Sequence, residues 1–345
     1  MAIANYQIPT KIKFFPSYLQ YAYAAGLIKG VDYQTQNETT KEDLYRLLVL
    51  DPSHTSQFDF LDGDFIAFDL NNPTLNFDFG MILGHDQKAN DITFQPYTFD
   101  FEDGNATISS DPIGTTGIVN YFGGDPILNG WGAFNIPSGV DSAGYGFVSS
   151  NYQGTSDGKL NIGSLSYGKS WTAPQNVDLN VSVNYNFGYK QKKTIGGKTI
   201  SQMNYYKQSK WLLDAWELSD VNSDTRTEPT ESRNGLRTWS VGWSFLQDKY
   251  AMSQNNMNNS NNWTIDSDSE YSTGADGTSL YNSSDGIDFY TSVIKTTMGG
   301  HLPVVIRISE SNNSDQWAIV RIKKYSISQK SPKFIDVKLT LEEQV

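Results

Sequence analysis

Few side chains in this sequence of 345 residues could carry out acid–base or metal chemistry. It contains three histidines and no cysteine, which excludes disulfides, thiolate metal sites and cysteine nucleophiles. His54, His85 and His301 lie far apart, and none shares a motif with a neighbouring carboxylate. A zinc site or catalytic triad requires such groups to converge. We therefore expect none of the three to be catalytic, and we expect His85 to be a structural residue at the end of a strand.

Closely spaced carboxylates are the second candidate for chemistry. They occur at Asp62/Asp64, Asp100/Glu102/Asp103 and Asp266/Asp268/Glu270. A glycosidase needs two carboxyls ~5–10 Å apart across a cleft, but an acidic chain offers such pairs by chance. The run from Asp266 alternates like calcium ligands, yet it lacks the Gly and Glu that complete an EF-hand loop. We expect solvated loop charge, with no catalytic residue, no metal and no cofactor, and no enzymatic activity. The alternative for the run from Asp266 is a calcium ion bound at an acidic loop.

Aromatic residues in Gly-, Asn- and Asp-rich segments are the third candidate, as a ligand-binding surface. They are Tyr121, Trp131, Tyr145 and Tyr152. Aromatic faces that stack on sugar rings beside amide and carboxylate groups are typical of carbohydrate sites. The same rings would equally anchor loops as small cores, or lie against a partner subunit. Loss of glycan binding in Trp131→Ala would favour the carbohydrate interpretation.

The charge balance restricts the partners. The chain has 38 acidic and 26 basic residues, a formal net charge of −12, which disfavours non-specific nucleic-acid binding and binding to anionic lipid surfaces. No segment approaches the ~20 apolar residues of a membrane helix. The stretch from Phe14 to Leu27 is interrupted by polar residues and Pro16. We therefore expect no signal peptide, no transmembrane segment and no nucleic-acid partner.

The elements that must position these residues are mainly strands. Apolar and polar residues alternate over 75–83, 177–189, 237–245 and 335–341, as in strands with one buried face. Gly196-Gly197 predicts a tight hairpin turn. Weak helical patterns occur at 18–25 and 42–48, and a short helix capped by Ser284 or Asp285 would carry Phe289, Tyr290, Val293 and Ile294. Because helices between the strands are lacking, the sheets should be antiparallel.

The predicted fold is an antiparallel, jelly-roll-like β-sandwich followed by a second β-domain with one short helix. We predict an N-terminal arm with short helices at 1–50, the sandwich at 51–174, and the second β-domain at 175–345 with a polar insertion at 247–286. The N-terminal region either packs on a neighbouring subunit or lies over its own domain. If it is an arm, a chain that begins near Asp51 should keep its fold and lose assembly.

Two sets of motifs resemble known proteins. GDFIAFDL at 63–70 followed by FDFGMILGHD at 77–86 resembles the paired strands of galactose-binding-like (discoidin-type) jelly rolls in tailed-phage particle proteins. The second set occupies 164–174, 194–201, 237–246, 298–303 and 315–320. It resembles structural proteins of marine tailed phages, which are similar in turn to tail-tip and baseplate proteins.

This resemblance implies a virion component of the distal phage tail, without catalytic residues. It implies other tail proteins as partners and a homo-oligomer, a ring or a trimer. A discoidin-type fold does not by itself establish sugar binding, because function resides in a site. Three hypotheses follow: a tail-tip, baseplate or fibre-attachment protein, a virion-borne or secreted carbohydrate adhesin that recognises a host surface glycan, and, with least support, a polysaccharide depolymerase.

Overall fold

The computed structural model describes the larger part of the chain. The described residues are 11–35, 40–51, 54–60, 63–70, 75–85, 93–109, 113, 119–120, 130–137, 140–142, 144–150, 159–186, 189–203, 236–251, 288–308, 317–331 and 334–344. Of these described residues, 58% lie in strands and 11% in helices. The strand pairs are antiparallel. The predicted mainly-β, antiparallel class is confirmed.

The first half of the chain is built from short strands and two helices. The strands are β1 Lys13–Phe15, β2 Gly30–Gln34, β3 Ser56–Asp59, β4 Phe65–Asp69, β5 Leu75–Asn76, β6 Phe79–His85, β7 Thr93–Glu102, β8 Asn105–Ile108, β9 Val119–Asn120, β10 Gly130–Asn135, β11 Asp141–Ser142, β12 Gly144–Ser150, β13 Lys159–Ile162, β14 Ser164–Gly168 and β15 Trp171–Thr172. The helices are α1 Tyr18–Ala24 and α2 Lys41–Arg46.

The described part of the second half contains longer strands and two short helical segments. Its strands are β16 Ser182–Asn186, β17 Tyr189–Lys193, β18 Thr199–Met203, β19 Leu236–Gln247, β20 Val304–Arg307, β21 Trp317–Ser331 and β22 Phe334–Glu343. Its helical segments are α3 Asp248–Ala251 and a π-helix at Tyr290–Lys295. The rest of the predicted polar insertion, 252–286, lies outside the described residues.

The helices begin where side chains satisfy free backbone N–H groups. At α1 the Ser17 hydroxyl accepts from the Gln20 N–H at 3.3 Å. At α2 Thr40 and Asp43 form a reciprocal capping box. Both helices were predicted. The predicted C-terminal helix is the π-helix, and Asp288 accepts from the Thr291 N–H at 2.8 Å, whereas the predicted caps Ser284 and Asp285 lie outside the described residues.

Two sheets face each other in the first half and enclose an aromatic core. The four-stranded sheet has the order β14-β6-β10-β9, and the five-stranded sheet has the order β2-β4-β12-β7-β8. Ile82, Phe134 and Tyr167 from the first sheet pack with Phe68 and Phe147 from the second. The strands β4 and β6, which carry the discoidin-like motif, therefore lie in opposite sheets and do not pair with each other.

A seven-stranded sheet organises the second half, and the N-terminal segment is part of it. The strand order is β15-β1-β20-β21-β22-β19-β16. One face of the sheet packs against the π-helix segment around Phe14, Trp171, Trp243 and Phe289. Because β1 hydrogen-bonds to strands on both sides, residues 13–15 lie within their own chain. The described part of the N-terminal region, which starts at residue 11, thus matches the second alternative, and residues 1–10 lie outside the described residues.

Phe15 connects the sandwich to the seven-stranded sheet. Its ring stacks on Trp317 of the seven-stranded sheet at a centroid distance of 5.0 Å. It also meets Phe79 of the sandwich edge-on at 5.2 Å. The two cores are thus joined through one aromatic side chain at the end of β1.

A buried ion pair closes one end of the seven-stranded sheet. Arg237 of β19 donates to Glu343 of β22 through Nη2 at 2.7 Å and Nε at 3.1 Å, and its backbone N–H adds a third bond at 3.0 Å. Each side chain is 1% exposed. Loss of either partner would leave a buried charge without its counter-charge, which strongly destabilises the folded state.

The predicted alternation of buried and exposed residues fails in β6, where every residue from Phe79 to His85 is buried, and it is wrong at two positions elsewhere. Phe245 is 63% exposed, because it has a φ of 62° and the β19–β22 register shifts between Trp243 and Leu246, which brings Leu246 into the core instead. Leu179 is fully exposed. It lies before β16, next to Asp178, whose N–H donates to the Gly242 carbonyl at 2.8 Å.

Candidate functional site

The structure tests one of the four predicted carbohydrate-binding aromatics directly. Tyr145 lies in β12, and its side chain is fully buried in the sandwich core. Its ring is 4.5 Å from that of Phe77, and its hydroxyl donates to the Val140 carbonyl at 3.2 Å. The prediction of an exposed, sugar-stacking ring is wrong for Tyr145, because its neighbours Gly144 and Gly146 are themselves buried in a central strand and do not form a loop.

The other three aromatics remain predictions. Trp131 lies in β10, where its backbone is opposite Leu83 of β6, but its side chain lies outside the described part of the structure. Tyr121 and Tyr152 also lie outside the described residues. The structure therefore does not bring the four predicted residues together as a site.

The candidate acid–base residues are dispersed in the described part of the chain. His85 ends β6 in a buried position, and burial lowers its pKa from 6.5 to about 4. Asp100, Glu102 and Asp103 are exposed around the β7–β8 turn, and Asp64 is buried. Asp62 and the run from Asp266 to Glu270 are outside the described residues. Within the described ranges, no three His, Asp or Glu side chains form a group suited to a metal ion.

A groove of about 340 Å³ lies on the face of the seven-stranded sheet that points away from its core. Strand pairing explains its composition. Gly242 of β19 is opposite Lys338 of β22, and Lys338 is opposite Ser326 of β21. Ser240 and Gly242 have small side chains. The groove lies over them, with Asn180, which precedes β16, and the lysines also in its lining. We call this the sheet-face groove.

The electrostatics of the sheet-face groove are cationic. Lys324 and Lys338 are both exposed at its rim, and Tyr325 beside them is 38% exposed. The single carboxylate in its lining, Asp178, accepts hydrogen bonds from Ser244 N at 3.1 Å and Ser244 Oγ at 2.7 Å. Lys324 and Lys338 share this face, whereas Tyr325 is paired with the core residue Leu339 and lies on the other face. Two ammonium groups and an amide are therefore presented together, which suits an anionic, hydroxyl-rich ligand.

A second unusual surface is a two-stranded ribbon formed by β17 and β18. Tyr189 is opposite Met203 and Lys193 is opposite Thr199. The turn places Gly197 at a φ of 78° and is fixed by Thr194, whose Oγ1 accepts from the Lys198 N–H at 3.1 Å. The Gly-Gly hairpin predicted from the sequence is confirmed at this position. We call residues 189–203 the cationic ribbon.

The cationic ribbon buries none of its described side chains. Residues 190–202 are all exposed. Ile195 at the turn is 109% exposed and Ile200 is 54% exposed. Four lysines, Lys190, Lys192, Lys193 and Lys198, lie in the ribbon, which contains no Asp or Glu. The ribbon therefore places no described side chain in the cores of its own chain. A two-stranded ribbon without such packing is only marginally stable in water.

The sequence contains a clear signal for the cationic ribbon and only a general one for the sheet-face groove. The 35 residues from Leu179 to Leu213 contain six lysines and no acidic residue, although the chain as a whole is acidic. The groove residues occupy polar positions of alternating strands, which by themselves indicate only a solvated face. Sequence alone does not reveal that the polar rows of β19, β21 and β22 are adjacent.

No helix in the described part of the chain is both long enough and apolar enough to cross a membrane. A comparison with protein-family models finds no match, and neither does a comparison with curated proteins. Among solved structures, the chain matches a DUF4466 family protein from Parabacteroides merdae with 9% identity, a TM-score of 0.18, and coverage of 92% of this chain and 100% of that one. A likeness of that size carries no argument about fold or function.

Proposed function

We propose that this protein is a structural component of a bacteriophage tail, at the tail tip, the baseplate or a fibre attachment, and that it acts by assembly in the virion. The observation that carries the proposal is the cationic ribbon. It exposes Ile195 and Ile200 to water, and burying such a side chain contributes about 1.5–3 kcal/mol. A surface of this kind is stabilised when a partner protein covers it. The order of motifs that resemble tail-tip and baseplate proteins supports the same proposal.

The rest of the molecule suits a scaffold. Two aromatic cores, joined by Phe15, hold the sheets from which the ribbon extends. Rigid elements of this kind present a binding surface in a fixed geometry. On this proposal the protein turns over no substrate, and its function is measured by its incorporation into a particle.

The test is the composition of the particle. Mass spectrometry of purified phage that carries this gene should find the protein, and gold-labelled antibody should mark the distal tail. A variant in which Asn-Gly replaces residues 190–202 should fold, because those residues are all exposed, and should be missing from particles. Lys29→Gln, an exposed lysine outside the ribbon, should be incorporated normally. Absence of the native protein from purified particles would contradict the proposal.

A second candidate function, recognition of a host glycan, is favoured by the sheet-face groove. Its exposed Lys324 and Lys338 offer positive charge, and Asn180 offers an amide, to an acidic saccharide. Binding to a glycan array should be strongest for carboxylated or sulfated sugars and should weaken at least about tenfold in Lys338→Gln, the loss of one charge-assisted contact. Lys323→Gln changes the adjacent exposed lysine, outside the groove lining, and should bind like the native protein. Neutral-sugar binding, or equal binding by both variants, would remove this candidate.

A further inference from the structure

The charge of the chain is divided unevenly between the cationic ribbon and everything else. The ribbon carries a formal charge of +4 from its four lysines, and the whole chain carries −12, so the remaining 330 residues carry −16. Like charges concentrated on a narrow ribbon repel one another, and opposite charges on a partner relieve this repulsion and steer its approach. The partner that fits the ribbon is therefore acidic.

An acidic surface of the required kind is present on the chain itself. Asp100, Glu102 and Asp103 are exposed at the β7–β8 turn, which is at one end of the five-stranded sheet. Ile108 of β8, in the same hairpin, is 43% exposed. By strand register Asp100 and Glu102 share one face of this hairpin, whereas Ile108, paired with Phe99, lies on the other. The three carboxylates at the turn complement the lysines of the ribbon.

We infer that the cationic ribbon of one subunit docks on the acidic β7–β8 turn of a second copy of this chain. This inference rests on the proposed function and names a partner for the same surface. The two contacting surfaces are different, so the contact is heterologous. Such contacts join subunits head to tail, and they close into a ring when the rotation between subunits permits.

The dimensions of the ribbon are compatible with this contact. Each of its strands has five residues, which at ~3.3 Å per residue gives a reach of roughly 16 Å before the turn is added. That reach places the turn, with Ile195, well beyond the ribbon's base at Tyr189 and Met203. Nucleic acid and anionic lipid also attract lysines, but either would repel the −16 charge on the rest of the chain.

The test is a reciprocal charge exchange followed by light scattering. Variant one carries Lys190→Glu and Lys192→Glu, which lie on one face of β17. Variant two carries Asp100→Lys and Glu102→Lys. Each alone should weaken self-association at least about tenfold, because it brings like charges together, and should approach the monomer mass of 38.6 kDa. An equimolar mixture should recover association between the two variants, since each mutant surface then meets one of opposite charge.

Two controls separate this contact from general effects of charge and folding. Lys29→Glu with Lys323→Glu makes the same change in net charge at exposed lysines outside the ribbon, and it should assemble like the native protein. Ile195→Ser keeps the ribbon charge and should weaken assembly without lowering the melting temperature. The native assembly should weaken between about 50 mM and about 500 mM NaCl, because exposed charge pairs are screened.

The outcomes distinguish this inference from the proposed function. A native protein that stays monomeric, or an oligomer that is unchanged in variant one, overturns docking between copies. Neither result affects the particle-composition test. If variant one keeps its oligomeric mass but loses binding to a single-stranded oligonucleotide or to phosphatidylserine vesicles, the ribbon serves an anionic polymer or a lipid surface, and the inference is wrong.

Discussion

The cationic ribbon and the strand pair β21–β22 are both antiparallel pairs, yet they relate to the rest of the molecule in opposite ways. Val337, Leu339 and Leu341 alternate along β22 and enter the core of the seven-stranded sheet. The corresponding alternation in β17 is occupied by Lys190 and Lys192, and the ribbon enters no core. Backbone pairing is common to both, so burial of alternate side chains separates a structural strand pair from one that is available to a partner.

Removal of the N-terminal 50 residues should have the largest effect on the core side of this comparison. The cut deletes β1 from the interior of the seven-stranded sheet and removes Tyr18, Leu19 and Leu44 from the sandwich core. We expect an unfolded or aggregated chain by circular dichroism, contrary to the arm hypothesis. The matched control is the replacement of residues 190–202 by Asn-Gly, which should fold. A folded, monomeric product from the N-terminal cut would restore the arm hypothesis.

Glu343→Gln should have the next largest effect. The substitution leaves the Arg237 guanidinium buried without its carboxylate, and loss of one partner of a buried ion pair costs about 3–5 kcal/mol. Urea unfolding measures the change. The neighbouring Glu342→Gln removes an exposed pair with Lys323 and should cost at most about 1 kcal/mol. Equal effects of the two variants would show that burial is not the deciding difference.

Acid should destabilise the sandwich through His85. The pKa of this buried imidazole is lowered from 6.5 to about 4, so the folded state favours the neutral form. The stability gained by keeping this imidazole neutral is fully present above pH 6.5 and is lost as the pH falls toward 4. The lowered pKa corresponds to roughly 3 kcal/mol in the free energy of unfolding. Asp78 has the opposite effect on the pH dependence of stability. Burial raises the pKa of its carboxyl, so its contribution to stability is greatest at low pH.

The measurement is the free energy of unfolding at several pH values between these limits. His85→Gln should be less dependent on pH than the native protein. His301→Gln changes an exposed histidine and should keep the native dependence. A native-like slope in His85→Gln would assign the acid sensitivity to other groups.

Tyr145→Phe should have a smaller effect, confined to the sandwich. It removes the hydrogen bond to the Val140 carbonyl and keeps the ring packing, which corresponds to about 0.5–1.5 kcal/mol. Thermal unfolding measures the loss, and any glycan binding should be unchanged because the ring is buried. A selective loss of glycan binding with native stability would reinstate Tyr145 as a ligand residue.

Ile195→Ser should have the smallest effect on stability, within about 0.5 kcal/mol, as is usual for surface positions. The side chain makes no buried contact in its own chain, since it is 109% exposed. Trp243→Ser, the same replacement at a buried aromatic of β19, should unfold the protein or nearly so. A large destabilisation by Ile195→Ser would mean that the ribbon packs on its own chain after all.

The sequence by itself determined the class of the fold and most of the local elements. Alternation identified β19 and β22, because one face of each strand is buried and the other faces water. It also located β6, although both faces of that strand are buried. Caps at Ser17 and Thr40 are local interactions, so α1 and α2 were also readable. Gly196-Gly197 located the ribbon turn, because one of its residues, Gly197 with a φ of 78°, adopts a positive φ that glycine tolerates.

Only the tertiary structure decided which faces are adjacent and which residues are covered. Tyr145 and Ile195 both follow polar or small neighbours in the sequence, yet one is fully buried and the other fully exposed. The difference depends on strands distant in the chain. Tyr145 faces Phe77 and Tyr167 across the sandwich, whereas no sheet in the described part of the structure covers the ribbon. The same holds for the sheet-face groove, whose lysines and Asn180 come together through the order of the strands. Strand order depends on contacts between distant segments, which composition and periodicity do not encode.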